Sequence, residues 1–183
     1  MGKKIIVIAG KAGSGKDTFT GILRKKLMEK LHTYISTIAF ADHIKFICKR
    51  YGNWDGNKDE FGRSLLQNVG TDITHNLLYP EYWADMVVNT IRIMSSYMSE
   101  YIIITDLRYK HEEHVIRTNF GESNVTTIRI DSNRKSELND EQKKHSSESE
   151  LNNHLFDFYV NNIGSIDDLE EYADAFIMQL IGD

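Results

Sequence analysis

Apolar and polar positions along the chain switch repeatedly between the pattern of buried strands and the pattern of amphipathic helices. Short runs predicted to be strands lie at 5–8, 32–40, 101–105, 125–130 and 156–160, and of these 5–8 is wholly apolar and 101–105 almost wholly apolar. Apolar residues at helical spacing cover 18–31, 42–51, 61–68, 71–78, 80–98, 110–119 and 165–181. Nearly continuous apolar runs are typical of parallel strands buried on both faces. Strands that alternate with helices predict an α/β fold, a three-layer parallel sheet with right-handed crossovers and helices on both faces.

The helical region of about 41–99 contains three breaks in this pattern. The segment from Asn53 to Glu60 has no periodicity and is predicted to be a loop. Gly70 interrupts the helical spacing, which predicts two separate short helices on either side of it. Pro80 is the one proline of the chain, and it suits the first turn of a helix that continues to Met98.

A glycine-rich segment follows the first predicted strand and leads directly into a helix. It consists of Gly10, Lys11, Ala12, Gly13, Ser14, Gly15, Lys16, Asp17 and Thr18. Its pattern G-x-x-x-x-G-K, between a strand and a helix, predicts a phosphate-binding loop. Backbone N–H groups and the helix N-terminus would surround phosphate oxygens, and Lys16 would supply a cation for the β- and γ-phosphates. The alternative is a tight turn with a chance lysine; context and spacing together favour a nucleoside triphosphate site.

The residue after the loop lysine departs from the common pattern. A serine or threonine usually offers its hydroxyl to Mg²⁺ there, whereas this chain has Asp17 followed by Thr18. The Asp17 carboxylate is a candidate Mg²⁺ ligand, directly or through water. Equally, Asp17 could be only an acid in the first helical turn, where negative charge is favoured. Adenylate kinases also lack this hydroxyl, so the loop resembles those of small-molecule kinases more than those of GTPase switches.

Two charged residues follow the buried run at 101–105. Ligands of parallel sheets bind at the carboxyl ends of strands, and the phosphate loop lies at that edge. Asp106 is a candidate to hold Mg²⁺ through water or to orient Arg108. Arg108 is a candidate to bind a second phosphate through two hydrogen bonds. A helix N-cap aspartate with a surface arginine is the alternative, and the shared sheet edge favours the functional interpretation.

Several polar residues and one aromatic residue of the helical region are candidates for an acceptor site. They are Arg63, Gln67, Thr71, Asp72 and Trp83. Arg63 and Gln67 are four residues apart and share a helix face, so together they could bind a phosphate and a base edge. An ordinary polar surface explains them equally well. Trp83 could stack on a base, although a tryptophan on an amphipathic helix is more often part of the core.

The stretch of about 131–153 is nearly devoid of apolar residues. Composition alone indicates a solvated insertion. The functional interpretation is a lid that closes over the transferred phosphoryl group, because water would otherwise accept it. A basic lid residue would stabilise charge in the transition state, and Arg134 is the candidate.

Composition and charge limit the remaining possibilities. The 183 residues predict one domain, 1–183, with a core of ordinary size. A net charge of −5 argues against a nucleic acid polymer as partner. Cys48 is the single cysteine, which excludes an internal disulfide and fits a reducing cytoplasm. Neither a signal peptide nor a run long enough to cross a membrane is expected from the sequence.

Six short blocks along the chain resemble phage-type deoxynucleoside monophosphate kinases, which belong to the P-loop nucleoside monophosphate kinase group. These blocks lie at 10–18, 65–72, 82–83, 105–112, 145–148 and 161–165. They occur in the family's order over nearly the whole chain, and only the first is specific by itself. The resemblance implies the P-loop NTPase fold of the nucleoside monophosphate kinase type, with ATP and Mg²⁺ as cofactors.

The resemblance also implies roles for particular residues. It places a deoxynucleotide acceptor near Arg63, Gln67, Trp83 and Arg108, with Glu112 in the same block as Arg108. It places His145 and Glu148 in or beside the lid and Asn162 near the adenine. Dimers occur in this family, so a homodimer is compatible with the resemblance, as is a host cytoplasm if the protein is phage-encoded. This chain is shorter than the larger phage members around 53–60, which leaves substrate range and oligomer contacts open.

Other functions stay open at the level of sequence. One is another P-loop metabolite kinase, acting on phosphomevalonate or dephospho-coenzyme A. Another is a nucleotide-binding regulator that transfers no phosphate. The chain lacks the N-K-x-D type of guanine-specificity motif, which argues against a GTPase.

Overall fold

The computed structural model describes residues 3–133 and 144–182, and a five-stranded sheet forms its centre. The strands are β1 (Lys4–Gly10), β2 (Ser36–Ala39), β3 (Tyr101–Leu107), β4 (Val125–Asp131) and β5 (Phe158–Asn161). Their order across the sheet is β2-β3-β1-β4-β5, and all neighbouring pairs are parallel. The predicted parallel α/β sheet is confirmed.

Helices connect the strands within the described residues. They are α1 (Lys16–Leu31), α2 (Ala41–Tyr51), α3 (Glu60–Gln67), α4 (Thr74–Leu77), α5 (Tyr82–Ile93), α6 (Lys110–Phe120), α7 (Ser146–Ser149) and α8 (Ile166–Ile181). A π-helical stretch, Asn68–Ile73, joins α3 to α4, and a short 3₁₀ turn, Glu122–Asn124, precedes β4. No helix among residues 3–133 and 144–182 is both long enough and apolar enough to cross a membrane.

The core lies on both faces of the sheet, which explains the continuous apolar runs. Helices α1 and α8 cover one face, where Phe19, Leu23 and Phe176 are fully buried. Helices α5 and α6 cover the other face, where Val87 and Ile116 are fully buried. Since β1 and β3 are sandwiched between these layers, their side chains are apolar on both sides. The predicted three-layer arrangement is confirmed.

A third apolar cluster holds the helical region between β2 and β3 together. It is built from Ile44 and Cys48 of α2, Trp54 of the following loop, and Trp83 of α5. Burial raises the pKa of the Cys48 thiol, as expected for a cysteine that contributes to packing rather than to nucleophilic chemistry.

The predicted helix break at Gly70 is wrong. The chain stays helical from α3 to α4 because a π-helical turn inserts there. Side chains satisfy two carbonyl groups of this turn. Thr74 Oγ1 donates to the Val69 carbonyl at 2.9 Å, and the Trp83 indole Nε1 donates to the Gly70 carbonyl at 3.0 Å. These tertiary hydrogen bonds outweigh the local helix-breaking tendency of glycine.

The bounds of α5 also differ from the prediction. The helix begins at Tyr82, because Pro80 and Glu81 form a turn in which Tyr82 N donates to the Tyr79 carbonyl. It ends at Ile93 rather than Met98. Beyond it the chain turns towards β2, where Ser99 exchanges hydrogen bonds with Ser36. The predicted strand 32–40 is likewise shorter, at Ser36–Ala39.

Candidate active site

A cavity of about 350 Å³ lies at the carboxyl edge of the sheet, between the phosphate loop and the α2–α5 region. It is lined by many of the residues singled out from the sequence. These are Ala12, Gly13, Lys16, Asp17, Arg63, Gln67, Thr71, Trp83, Asp106, Arg108, Glu112 and Glu148. The structure therefore brings the loop residues and the acceptor candidates, far apart in sequence, onto one cavity of the size used for small ligands.

The phosphate loop has the geometry that its sequence predicts. It leaves β1 at Gly10 and enters α1 at Lys16, so the helix N-terminus points at the cavity. The Lys16 side chain is largely buried, and its Nζ lies 3.5 Å from Asp17 Oδ1. The Asp17 side chain is 80% exposed, so its carboxylate is accessible to a bound cation.

A buried asparagine supports the loop from behind. Asn162 follows β5, is 4% exposed, and donates its amide Nδ2 to the Ser14 carbonyl at 2.8 Å. The contact requires glycine at position 15, because a Cβ there would lie 2.1 Å from Asn162 Nδ2, and Gly15 has a left-handed φ of 86°. Asn162 thus acts on the loop backbone, and its predicted position near the adenine stays a prediction.

One loop hydroxyl is poised for a ligand. Ser14 Oγ is buried, and among the described residues it is the buried side-chain polar atom that lacks a hydrogen-bond partner. Buried hydroxyls are normally satisfied. A phosphate oxygen held by the loop is the kind of acceptor that would satisfy it.

Replacing Asn162 with alanine tests the support of the loop. The change leaves the buried Ser14 carbonyl without its donor, so we expect a loss of about 1–3 kcal/mol in the free energy of unfolding. We also expect a higher KM for the nucleoside triphosphate, with little change in the KM for the acceptor that the sequence predicts. Urea denaturation and steady-state kinetics measure both effects. Asn161→Ala, on an exposed neighbour, is the matched control, and identical KM values in the two variants would contradict this role.

A β-bulge shapes the end of β3. In the pairing with β1, Val7 lies opposite Ile104 and Ala9 opposite Leu107, so Thr105 and Asp106 together face a single residue, Ile8. Asp106 has a φ of 65°, a left-handed conformation that aspartate tolerates better than most residues. As a result, the consecutive residues Thr105 and Asp106 both line the cavity. Bulges beside active sites commonly redirect a side chain in this way.

The Asp106 carboxylate is held by backbone donors at the start of α2. Its Oδ1 accepts from Phe40 N at 2.9 Å, and its Oδ2 accepts from Ala41 N at 3.4 Å. Burial raises the pKa of Asp106, and the positive charges of Lys45, Arg108 and Lys16 oppose this shift. Asp106 therefore fixes α2 against β3 while it faces the cations of the cavity.

The residues present fit a weakly coordinated Mg²⁺. In residues 3–133 and 144–182, no three His, Cys, Asp or Glu side chains form a preassembled metal cluster. Mg²⁺ in phosphoryl-transfer sites is typically bound by one or two carboxylates together with substrate phosphates and water. The exposed Asp17 beside Lys16 matches this mode, and Asp106 could contribute only through its already hydrogen-bonded oxygens.

Arg108 is oriented by an acidic residue that lies 40 positions later in the chain. Glu148 of α7 accepts from Arg108 Nη1 at 2.6 Å through Oε1, and its Oε2 accepts from Ala12 N of the phosphate loop at 3.3 Å. The Glu148 carboxylate is 9% exposed. Such a charge-assisted bond fixes the guanidinium plane. One buried carboxylate thus connects the phosphate loop to the arginine that follows β3.

Residues next to Glu148 in sequence contact the helical region and the residue that follows Arg108. The Tyr109 hydroxyl is hydrogen bonded to Thr71 Oγ1 at 2.8 Å and to Ser146 Oγ at 3.2 Å. Asp72 Oδ1 lies 3.9 Å from His145 Nε2, outside the set of side chains that line the cavity. The carboxyl-terminal part of the predicted lid therefore contacts the acceptor candidates. Arg134, the predicted lid cation, lies outside the described residues.

The acidic residue of the block at 105–112 caps a helix. Glu112 Oε2 accepts from Arg108 N at 2.8 Å and from Tyr109 N at 3.0 Å, at the start of α6. Burial raises the pKa of Glu112 from 4.5 to about 8, and the nearby Asp106 adds to this shift. A neutral Glu112 at pH 7 adds no negative charge to a cavity that would receive phosphates.

This raised pKa of Glu112 predicts how stability depends on pH. Between pH 4.5 and about 8, the folded protein holds a proton that the unfolded chain has released, so the free energy of unfolding falls as the pH rises. We expect Glu112→Gln to flatten this dependence, by up to about 1.4 kcal/mol per pH unit. Urea denaturation across this pH range measures the slope. Glu100→Gln makes the same change on an exposed residue; parallel curves for both variants and the wild type would contradict the assignment.

Trp83 is both a core residue and part of the cavity wall. It is 7% exposed, and its indole Nε1 donates to Thr74 Oγ1 at 2.8 Å as well as to the Gly70 carbonyl. Its packing against Ile44 and Cys48 agrees with the core interpretation. The same ring also lines the cavity. Its stacking on a base therefore stays a prediction that is compatible with its position.

The structure adds residues that the sequence did not single out. Lys45, Lys58, Tyr109 and His111 also line the cavity. Lys45 lies on α2 and pairs with Asp42 at 3.3 Å. Lys58 lies in the loop that the sequence pattern left without periodicity. A single lysine in such a loop carries no motif, so only the tertiary structure could reveal it.

Comparisons with known proteins agree with this geometry. A family model described as deoxynucleotide monophosphate kinase matches residues 49–172. No curated protein sequence matches the chain.

Several solved structures share the fold. An APS kinase of Mycobacterium tuberculosis, in complex with AMPPNP and APS, has a TM-score of 0.53 at 12% identity, covering 100% of this chain and 99% of that one. The protein TT1252 of Thermus thermophilus gives 0.52 at 15% identity, covering 98% and 99%. A sugar kinase from Janibacter sp. gives 0.50 at 12% identity, covering 98% and 95%. At these identities the likeness shows the fold alone, that of P-loop kinases, whereas the family model matches well over half of the chain: the protein belongs to the deoxynucleotide monophosphate kinase family.

Proposed function

We propose that this small-molecule P-loop kinase transfers the γ-phosphoryl group of ATP to a deoxynucleoside 5′-monophosphate. The observation that carries the proposal is that Lys16 of the phosphate loop, Arg63 of α3 and Arg108 after β3 line the same cavity. Cations contributed by separate elements of the fold suit two phosphorylated substrates that bind side by side. The match to the family model supports a deoxynucleotide as acceptor.

The donor binds at the phosphate loop in this proposal. Loop N–H groups, the N-terminus of α1 and the Ser14 hydroxyl would hold the triphosphate. Lys16 would bind the β- and γ-phosphate oxygens. Mg²⁺, held by the triphosphate with water and Asp17, would neutralise part of the phosphate charge.

The acceptor binds in the remainder of the cavity. Arg63 and Arg108 would bind its phosphate, since guanidinium groups form paired hydrogen bonds with phosphate oxygens. The Gln67 amide offers a donor and an acceptor to a base edge, and the Trp83 ring offers an apolar surface to its face.

The transfer itself requires no general base. The acceptor phosphate has a second pKa of about 6 and is largely dianionic at pH 7. One of its oxygens attacks the γ-phosphorus of ATP, the bond to the β–γ bridging oxygen breaks, and ADP leaves with that electron pair. The protein contributes alignment and charge stabilisation, by Lys16 and Arg108 among the described residues and by Arg134 in the predicted lid.

Closure over the cavity excludes water in this scheme. Ser147 and Glu148 line the cavity from the side of the predicted lid, about 131–153. Their contacts to Arg108 and Ala12 make this segment a suitable base for closure. Exclusion of water prevents hydrolysis of ATP in place of transfer.

The proposal is tested by ATP consumption with Mg²⁺ against a panel of deoxy- and ribonucleoside monophosphates. Phosphomevalonate and dephospho-coenzyme A serve as comparison acceptors. We expect turnover that depends on a deoxynucleoside monophosphate and yields the diphosphate, identified by ³¹P NMR. Turnover with only a comparison acceptor would reassign the protein to metabolite kinases. Binding of ATP without any acceptor-dependent turnover would indicate a nucleotide-binding regulator.

A further inference from the structure

The loop between α2 and α3 is held rigidly although it has no regular secondary structure. Trp54 is 6% exposed, its backbone N donates to the Cys48 carbonyl at 3.2 Å, and its indole Nε1 donates to the Asn57 carbonyl at 2.7 Å. Asp55 accepts from both the backbone N and the side-chain amide of Asn57. These contacts fix the backbone immediately before Lys58.

The other end of the loop is fastened to α3. Asp59 caps this helix by accepting from Gly62 N at 2.8 Å, and Arg63 Nε donates to the Lys58 carbonyl at 2.7 Å. The loop also packs so closely on α3 that a Cβ at position 62 would lie 2.1 Å from the Asn57 carbonyl oxygen. Lys58 therefore projects from a defined backbone position, between two anchored segments.

Lys58 is an exposed residue, and its side chain lines the cavity together with Lys16, Lys45 and Arg63. Partial burial against the cavity wall lowers the pKa of Lys58, and the positive charges of Lys16, Lys45 and Arg63 lower it further, against the opposing effect of Asp17. Within the described part of the chain, the ammonium has no hydrogen bond or ion pair of its own. A cation held near like charges without a counterion is unfavourable in the free protein, and a bound polyanion would reverse that cost.

We propose that Lys58 contacts the phosphoryl group during transfer, as a third cation of the cavity that Lys16 and Arg63 also line. The inference rests on the proposed function, and it assigns to the loop at 52–59 a direct part in it. Charge on the equatorial oxygens of the transferred group is shared between donor and acceptor in the transition state. A lysine that neighbours both Lys16 and Arg63 is placed to bind those oxygens, and it donates hydrogen bonds without giving up its proton.

Lys58→Gln tests this role by removing the charge and keeping a side chain of similar length. We expect kcat with a deoxynucleoside monophosphate to fall at least about 10-fold, the loss typical of one hydrogen bond to a charged group. The KM for ATP should change little. Lys58→Arg keeps the charge and should recover most of kcat. Assembly of the complex of ADP, aluminium fluoride and the monophosphate, measured by calorimetry, should weaken in the glutamine variant and recover in the arginine variant.

Two controls separate this role from general charge and from loop structure. Lys25→Gln removes the same charge from an exposed position on α1. Lys49→Gln removes it beside the loop, where the Lys49 ammonium lies over the Trp54 ring at 5.7 Å. Unchanged kcat in Lys58→Gln would overturn the inference, and so would equal losses in the glutamine and arginine variants, since these would indicate a structural role. A wild-type protein without nucleotide-dependent turnover would instead refute the proposed function itself.

Discussion

Replacing Lys16 with alanine is expected to reduce phosphoryl transfer by about 10³-fold or more, the loss seen when a preorganised group is removed from developing charge. The Lys16 ammonium is the cation that the phosphate loop directs at the β- and γ-phosphates. Its one ion pair among the described residues is with the exposed Asp17, so its removal should leave the fold intact. Single-turnover kinetics and thermal unfolding measure the two quantities separately.

The matched control for this variant is Lys25→Ala, on an exposed position of the same helix. It removes the same charge from α1 without touching the cavity. Turnover that survives in Lys16→Ala at more than about a tenth of the wild-type rate would remove Lys16 from the mechanism, because a group at the reacting phosphate contributes more than 1.4 kcal/mol.

Replacing Arg108 with alanine is expected to raise the KM for the acceptor by about 10- to 100-fold, with a smaller effect on ATP, because hydrogen bonds to charged groups contribute about 1.5–3 kcal/mol. The substitution has two separate effects, one on acceptor binding and one on stability. The acceptor phosphate loses a guanidinium partner, and the buried carboxylate of Glu148 loses its ion pair at 2.6 Å. Calorimetric titration with the monophosphate and with AMPPNP separates acceptor binding from donor binding.

The effect on stability can be removed in a double variant that also neutralises Glu148. In Arg108→Ala with Glu148→Gln, no uncompensated carboxylate remains, so stability should recover while acceptor affinity stays low. Arg50→Ala, an exposed arginine on α2, is the control for net charge. Equal losses of ATP and acceptor affinity in Arg108→Ala would contradict its assignment to the acceptor.

The fold was predictable from the sequence because its signals are local and mutually consistent. Ile5–Ile8 and Tyr101–Ile104 are apolar without interruption, as is typical of buried parallel strands. The glycine-lysine pattern marks the turn from β1 into α1 by a backbone requirement. Sheet-edge reasoning then placed Arg108 near the phosphate loop, and both lie on one cavity in the structure.

The rest of the site depends on contacts between distant residues, which leave no periodic signal. Glu148 reaches Arg108 across 40 positions, and Asn162 reaches Ser14 across 148. The π-helical turn at Asn68–Ile73 forms because Thr74 and Trp83 satisfy its carbonyls, so Gly70 by itself misled the prediction. Lys58 is positioned by the packing of Trp54 and Gly62, which no local pattern encodes.

Because β3 ends in a bulge, the position of the Asp106 carboxylate depends on the number of residues in this strand. Two residues, Thr105 and Asp106, span the distance that one residue covers in β1. A strand shortened by one residue here would pair regularly and turn alternate side chains to opposite faces of the sheet. Leu107 would still lie opposite Ala9, so Arg108 would keep its position, whereas the residue left opposite Ile8 would lose the left-handed φ that Asp106 has in the bulge. A single-residue deletion in this strand would therefore be more damaging than most substitutions, although every side chain other than the deleted one would remain.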